Sequence, residues 1–168
     1  MIAAVWLLHG CATSNPASVS YMPASEIESA GASLPTTGYL SSGQPNAAAL
    51  SAIAAAGYAG VVDLRTEGEP RGFDEAQTAE ALGLGYRALP IAGPDDVTFE
   101  NAAKLDALLA EFAGPVLLHC GSGNRVGALF ALRAKAAGAS DDEAIAVGRA
   151  AGLTQLEETV RRTLAEAN

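Results

Sequence analysis

"GPVLLHCGSGNRVGALFAL", residues 114–132, decides how the rest of the chain is read. The run from Pro115 to His119 is short, apolar and opened by a breaker, so it reads as a strand buried on both faces. From Arg125 to about Ala137 small and apolar residues continue until Gly138, which reads as a helix closed by glycine. Cys120, Gly121, Ser122, Gly123 and Asn124 form the turn between them. A strand, a tight glycine turn and a helix N-terminus aim several backbone N–H groups at one point, and that point attracts an anion. Gly121 and Gly123 permit the tight turn and keep side chains out of the cradle. Arg125 adds a planar fork that can grip two oxygens of an oxyanion. The same positive surroundings favour the thiolate form of Cys120. Nucleophile and anion clamp therefore come from one six-residue piece, Cys120 to Arg125.

Outward from this piece, strand and helix signals alternate. "YLSSGQPN" (39–46) reads as a short strand, a glycine turn and an Asn46 cap for a helix to about Ala56. "AGVVDLR" (59–65) is a β-branched run, read as a buried strand ending at Arg65. A helix from about Asp74 to Leu82 stops at Gly83, and "YRALPI" (86–91) reads as the next strand, closed by the breakers and acids of "AGPDD" (92–96). Thr98 can cap a further helix, with Leu105, Leu108, Leu109 and Phe112 on one face. Two capping boxes, "SDDE" from Ser140 and "TQLE" from Thr154, open two last helices. Strands separated by helices imply an α/β fold, a parallel or mixed sheet covered on both faces. Such sheets place their sites beyond the carboxyl ends of strands, where Cys120 falls.

The 168 residues suffice for one domain and an extension. Half the chain is apolar and only 5% aromatic, so packing should rest on close approach of alanine- and glycine-rich surfaces. A net charge of −9 argues against nucleic acid as a partner, since phosphate backbones need clustered Lys and Arg. At the start, the apolar run Ala3–Leu8 leads into "LLHGC", where Leu8, Gly10 and Cys11 follow the pattern of a bacterial lipoprotein signal. The expectation is a signal segment over 1–10 and lipidation of Cys11, tethering the protein to a membrane of the cell envelope or periplasm; without that signal it would be cytoplasmic. Residues 11–36, rich in Ser, Ala and Pro, read as a loose tether, and 37–168 as the catalytic domain. With Cys11 lipidated, Cys120 is the one free thiol. No Cys/His cluster has metal-ligand spacing, so neither metal nor cofactor is expected.

The stretch His119–Val126 resembles the signature of protein tyrosine and dual-specificity phosphatases: His-Cys, two residues, Gly, two residues, Arg, then Ser or Thr. His119, Cys120 and Gly123 match. Arg125 comes one residue early, and Val126 replaces the hydroxyl that assists departure of the thiolate. "SGQPN", "GYAGVVDLRTEGE", "YRALPI" and the opening stretch are similar, over about residues 38–135, to a bacterial branch also found fused to beta-lactamase-like hydrolases, in which the shortened loop is usual. The resemblance implies a protein tyrosine phosphatase-like fold and hydrolysis of phosphomonoesters on a phosphorylated protein or small molecule. It makes Cys120 the nucleophile. Arg125 and the N–H groups of Gly121, Ser122, Gly123 and Asn124 would bind the phosphate, with His119 in support behind the cysteine. An aspartate after the strand "YRALPI" would act as general acid: Asp96, with Asp95 as the competing choice. Asp63, Arg65 and Glu67 belong to a block that supports the fold.

Two rivals remain. Rhodanese-type sulfurtransferases also place an arginine five residues after the cysteine, and in them the cysteine carries a persulfide. The flanks here resemble the phosphatases instead: His119 directly precedes the cysteine, and an acid loop follows "LPI". A non-catalytic lipoprotein that binds an anion or a partner is the third reading.

Overall fold

The computed structural model describes residues 18–167. Five strands form one sheet: β1 (Val19–Tyr21), β2 (Tyr39–Ser42), β3 (Gly60–Asp63), β4 (Gly85–Ala88) and β5 (Val116–His119). Their spatial order is β1-β2-β5-β3-β4, and every pairing is parallel. Seven α-helices surround the sheet: α1 (Ala24–Ala30), α2 (Ala47–Ala55), α3 (Glu75–Ala81), α4 (Phe99–Leu109), α5 (Asn124–Ala136), α6 (Asp141–Ala150) and α7 (Glu157–Glu166). The opening stretch is therefore the centre of the molecule: β5 lies between β2 and β3, and the chain leaves its carboxyl end through the cysteine turn into α5.

The helix caps follow the side chains. Asn46, Asp74 and Thr98 each accept the N–H three residues on, at 2.7, 2.9 and 3.1 Å, as short polar side chains do at N-caps. Ser140 and Glu143 close a full capping box on α6. The box expected from Thr154 does not form. The Thr154 N–H donates instead to Asn124 Oδ1 at 2.8 Å, and α7 begins at Glu157 without a side-chain cap.

Alternation along the strands divides the core between the two faces. Leu117, Val61 and Leu40 pack with Ile27, Leu50, Ile53 and Ala79 of α1, α2 and α3. Leu118, Val116 and Val62 pack with Leu105, Leu109, Leu129 and Phe130 of α4 and α5. A third apolar layer joins α5, α6 and α7 through Ala128, Ala131, Leu132, Ile145, Val160 and Leu164. Here the small residues act as the composition implies. A Cβ on Gly127 of α5 would sit 2.2 Å from the Leu153 nitrogen and 2.7 Å from the Gly148 carbonyl, so only glycine lets α5 and α6 lie this close.

The tether expected over 11–36 is corrected from residue 18 onward. Val19–Tyr21 pairs in register with β2, and Ile27 of α1 and Leu34 are buried in the core. This segment completes the sheet edge and covers one face of it. The Ala3–Leu8 run, the signal segment and Cys11 lie outside the described residues. Among the described residues no helix is long and apolar enough to cross a membrane.

Candidate active site

The alternation that sorts the core also sorts the site. Continuing the pleat of β5, Cys120 falls on the side of α4 and α5 and joins that apolar cluster. His119 falls on the opposite side, toward Glu75 of α3. Adjacent residues thus face different surroundings, one a helix N-terminus, the other a buried carboxylate.

The turn closes on the cysteine. The Gly123 N–H donates to Cys120 Sγ at 3.1 Å. Gly123 has φ +87°, and a Cβ there would lie 2.6 Å from Cε2 of Tyr21, so glycine is required twice over. Ser122 pairs with Gly43 in an isolated bridge that ties the turn to the end of β2. Asn124 braces its far side by accepting the N–H groups of Thr154 and Leu156 at 2.8 and 3.3 Å. No side chain caps the first N–H groups of α5, which keeps them available to an anion. Gly121 and Ser122 are exposed, so the cradle opens to solvent above a buried sulfur.

Arg125 is held in one orientation. Its Nη1 and Nη2 donate to Glu69 Oε1 and Oε2 at 2.7 and 2.6 Å, a two-pronged pair, and Nη1 also reaches the carbonyls of Ile91 at 2.8 Å and Leu64 at 3.4 Å. Arg125 holds the Glu69 carboxyl well below the usual carboxylate range, with further hydrogen bonds from Thr66. The Glu69 carboxylate and the Cys120 sulfur together raise the pKa of the Arg125 guanidinium. The Cys120 sulfur and the Arg125 guanidinium are therefore electrostatic neighbours.

Beneath the turn lies a buried polar cluster. His119 Nε2 is 2.6 Å from Glu75 Oε1 and 3.7 Å from Asp63 Oδ1, with all three side chains sealed from solvent. Asp63 Oδ1 accepts the Arg65 N–H at 2.8 Å, while Oδ2 takes Arg71 Nη2 at 2.7 Å and the Tyr86 hydroxyl at 3.0 Å. Burial, and secondarily the Asp63 charge, raise the pKa of the Tyr86 hydroxyl. Asp63, Glu75 and His119 are the residues whose ligand atoms converge closely enough for a cation, within 4.8 Å of one another. Arg71 already neutralises Asp63, so a cation there would face a competing guanidinium.

The acid loop meets the site through the residue just before it. The Ile91 carbonyl receives Arg125, so the chain enters "AGPDD" directly beside the guanidinium. Within it Asp96 Oδ2 accepts the Ala92 N–H at 2.7 Å, which fixes the loop, while Asp95 is exposed. Thr98, not Asp96, caps α4. Glu67 of the fold-supporting block is exposed, and the carboxylate that meets Arg125 is Glu69. Sequence reasoning missed Glu69, Glu75, Gln44 and Tyr21. Gln44 and Glu69 do stand inside the blocks "SGQPN" and "GYAGVVDLRTEGE", whose order was the available signal.

Comparison with known proteins gives the family and the fold. The family described as beta-lactamase hydrolase-like protein, phosphatase-like domain, matches residues 34–139. A beta-lactamase hydrolase-like protein of Xylella fastidiosa is 34% identical over 116 residues, 66% of this chain and 27% of that protein. This chain thus spans about a quarter of that relative's length. Among solved structures, a phosphatase candidate from Neisseria meningitidis aligns with TM-score 0.64 at 26% identity, covering 75% of this chain and 91% of its own. TpbA of P. aeruginosa, solved with phosphotyrosine, aligns with TM-score 0.52 at 21% identity, covering 78% and 86%. The α/β fold is that of the protein tyrosine phosphatase-like enzymes, and the chain belongs to the phosphatase-like domain family of the beta-lactamase hydrolase-like proteins.

Proposed function

We propose that the domain hydrolyses phosphomonoesters through a cysteinyl-phosphate on Cys120. The observation that carries this reading is the pairing of a cysteine, whose sulfur accepts the turn's own Gly123 N–H, with an arginine fixed by Glu69 at the start of α5. In the first step Cys120 Sγ attacks phosphorus, the P–O bond to the leaving group breaks, and Asp96 gives that oxygen a proton. Arg125 and the N–H groups of the turn bear the charge that gathers on the equatorial oxygens. In the second step water attacks phosphorus, the P–S bond breaks, and orthophosphate leaves as the thiolate returns. Water's proton passes to Asp96, ready for the next cycle. Val126 supplies no hydroxyl, so the second step relies on the Gly123 N–H to steady the departing sulfur. No metal or cofactor enters this scheme. The substrate is a phosphorylated protein or small molecule, and the phosphotyrosine held by TpbA supports an aryl phosphate as the first probe.

A second reading rests on the six-residue turn: Cys120 would carry a persulfide sulfur, with Arg125 binding the anionic donor. One paired assay separates the two. The domain, residues 18–168, is given an aryl phosphate across pH 5 to 8, and separately thiosulfate with cyanide. Phosphate release that vanishes in Cys120→Ser supports the proposal. Sulfur transfer without phosphate release replaces it. Silence in both favours an anion- or partner-binding module. Lipidation of Cys11 and attachment to an envelope membrane is a separate proposal, resting on "LLHGC" alone and testable by mass spectrometry of the mature N-terminus from a bacterial membrane fraction.

A further inference from the structure

Four side chains, Glu75, Gln44, Arg65 and Glu69, join the residue before the nucleophile to the anion clamp, and Gln44 is where the two halves meet. On one side Gln44 Nε2 donates to Glu75 Oε2 at 3.0 Å, and Glu75 Oε1 meets His119 Nε2 at 2.6 Å. On the other, Arg65 Nη1 donates to Gln44 Oε1, Arg65 Nε reaches Glu69 Oε2 at 3.4 Å, and the same oxygen takes Arg125 Nη2 at 2.6 Å. The third guanidinium nitrogen of Arg65, Nη2, donates to the Pro70 carbonyl at 2.6 Å. The backbone next to Gln44 belongs to the same assembly, because Gly43 bridges Ser122 of the turn.

The chemistry of an amide suits this place. Glu75 needs a donor and Arg65 needs an acceptor, and a primary amide supplies both on one planar group with no charge of its own. A carboxylate would set like charges together at Glu75, and an ammonium would do so at Arg65. A hydrocarbon would leave buried polar groups unpartnered, which costs more than the bonds themselves contribute. Every other member of the chain is ionisable, and Gln44 lets the two sets touch without exchanging charge.

We infer that Gln44 is a positioning residue for the reaction: through Arg65 and Glu69 it fixes the Arg125 fork, and through Glu75 it fixes His119 behind Cys120. It touches neither substrate nor sulfur. The inference rests on the proposed use of Arg125 as the clamp of a phosphate, and it locates the control of that clamp just after β2 and in α3, away from the loop. Misplacing an oriented catalytic group by an ångström can cost about a hundredfold, so removing Gln44 should act on turnover and oxyanion affinity rather than on the fold.

The test uses the described domain and four variants. Gln44→Glu sets two carboxylates together, Glu75→Gln removes the acceptor, and the double variant Gln44→Glu with Glu75→Gln restores one amide and one carboxylate in exchanged places. Gln44→Met removes both hydrogen bonds without adding charge, and serves if Gln44→Glu does not fold. Each is measured for kcat and KM on an aryl phosphate, for inorganic phosphate affinity by calorimetry, and for Tm. The expected result is a fall of roughly 10- to 100-fold in kcat/KM and weaker phosphate binding in Gln44→Glu and Gln44→Met. Gln44→Met should lose some Tm to the two unpartnered groups but keep the parent's circular dichroism, and the double variant should recover most of both losses. Phosphate binding and turnover unchanged in Gln44→Met would overturn the inference, as would a double variant no better than Gln44→Glu. A parent domain that is inactive but binds phosphate, with that binding weakened in Gln44→Met, would sink the proposed reaction while leaving the positioning role standing.

Discussion

Two arginines on α5 invite comparison. Arg125 opens the helix at the carboxyl end of the sheet, and Arg133 lies in its last turn, toward the amino ends of the strands. Both are largely buried and both pair with a carboxylate. Glu69 meets Arg125 with two oxygens, and backbone carbonyls from β3's end and from Ile91 complete a polar socket. Arg133 gives Nε and Nη2 to a single oxygen of Asp106, at 2.7 and 2.6 Å, and lies over the rings of Phe130 and Tyr39 at 4.5 and 5.2 Å. One is held by polar groups beside a sulfur; the other is stacked on aromatic faces, where its stem and charge serve packing. A cleft of about 420 Å³ runs past Arg133, Asp106 and Tyr39, and Cys120 and Arg125 are not among the residues that line it. The proposed chemistry lies instead at a strand end and a helix N-terminus.

The comparison can be broken by substitution, in order of expected effect. Cys120→Ser should abolish phosphate release, by about four orders of magnitude or more, while circular dichroism stays unchanged. Arg125→Lys loses the planar fork and should lower kcat about a hundredfold, read by steady-state kinetics. By the same logic Arg133→Met should leave kcat/KM within about twofold and lower stability by about 1–3 kcal/mol through lost packing and ring contacts, measured by denaturant unfolding. If Arg133→Met proved as damaging to turnover as Arg125→Lys, the division between the two ends would be wrong.

Two further predictions sharpen the polar end. Asp96→Asn keeps an oxygen for the Ala92 N–H, so the loop should hold its shape while kcat on a poor leaving group falls about a hundredfold; Asp95→Asn should have little effect. Glu69 titrates far below an ordinary carboxylate in the folded protein because Arg125 bonds to its charged form. A group with a depressed folded pKa contributes stability that is fully present above its unfolded value, about 4.3 for glutamate, and is lost as pH falls toward the folded value. The stability gap between the parent and Glu69→Gln should therefore stay constant from pH 8 to about 5 and narrow only below about 4, in urea titrations at each pH.

Much of the architecture was legible because it is local. "PVLLH" is a buried strand on its own composition, and Asn46, Asp74, Thr98 and Ser140 cap helices a few residues away. The cysteine turn is contiguous, so its strand-turn-helix form could be expected without a fold. What could not be read is what forms between distant segments. Glu69 meets Arg125 across 56 positions, Gln44 meets Glu75 across 31, and nothing in either neighbourhood names the partner. β1 is three residues long at a sheet edge, too short for an alternating pattern, so the segment before residue 37 resembled a tether until its pairing with β2 was seen. Thr154 carried a valid capping signal, but Asn124 claims its N–H across 30 positions. Local signals lost where a long-range hydrogen bond was better placed.

The central claim is the chemical identity of what Cys120 carries during turnover. The most direct measurement mixes the domain with an aryl phosphate, quenches in acid within the first turnover, and identifies by mass spectrometry the group on the peptide that holds Cys120. The account predicts a phosphoryl group on that sulfur, absent in Cys120→Ser. An unmodified thiol under aryl phosphate, with a persulfide sulfur appearing on the same peptide under thiosulfate, would contradict it.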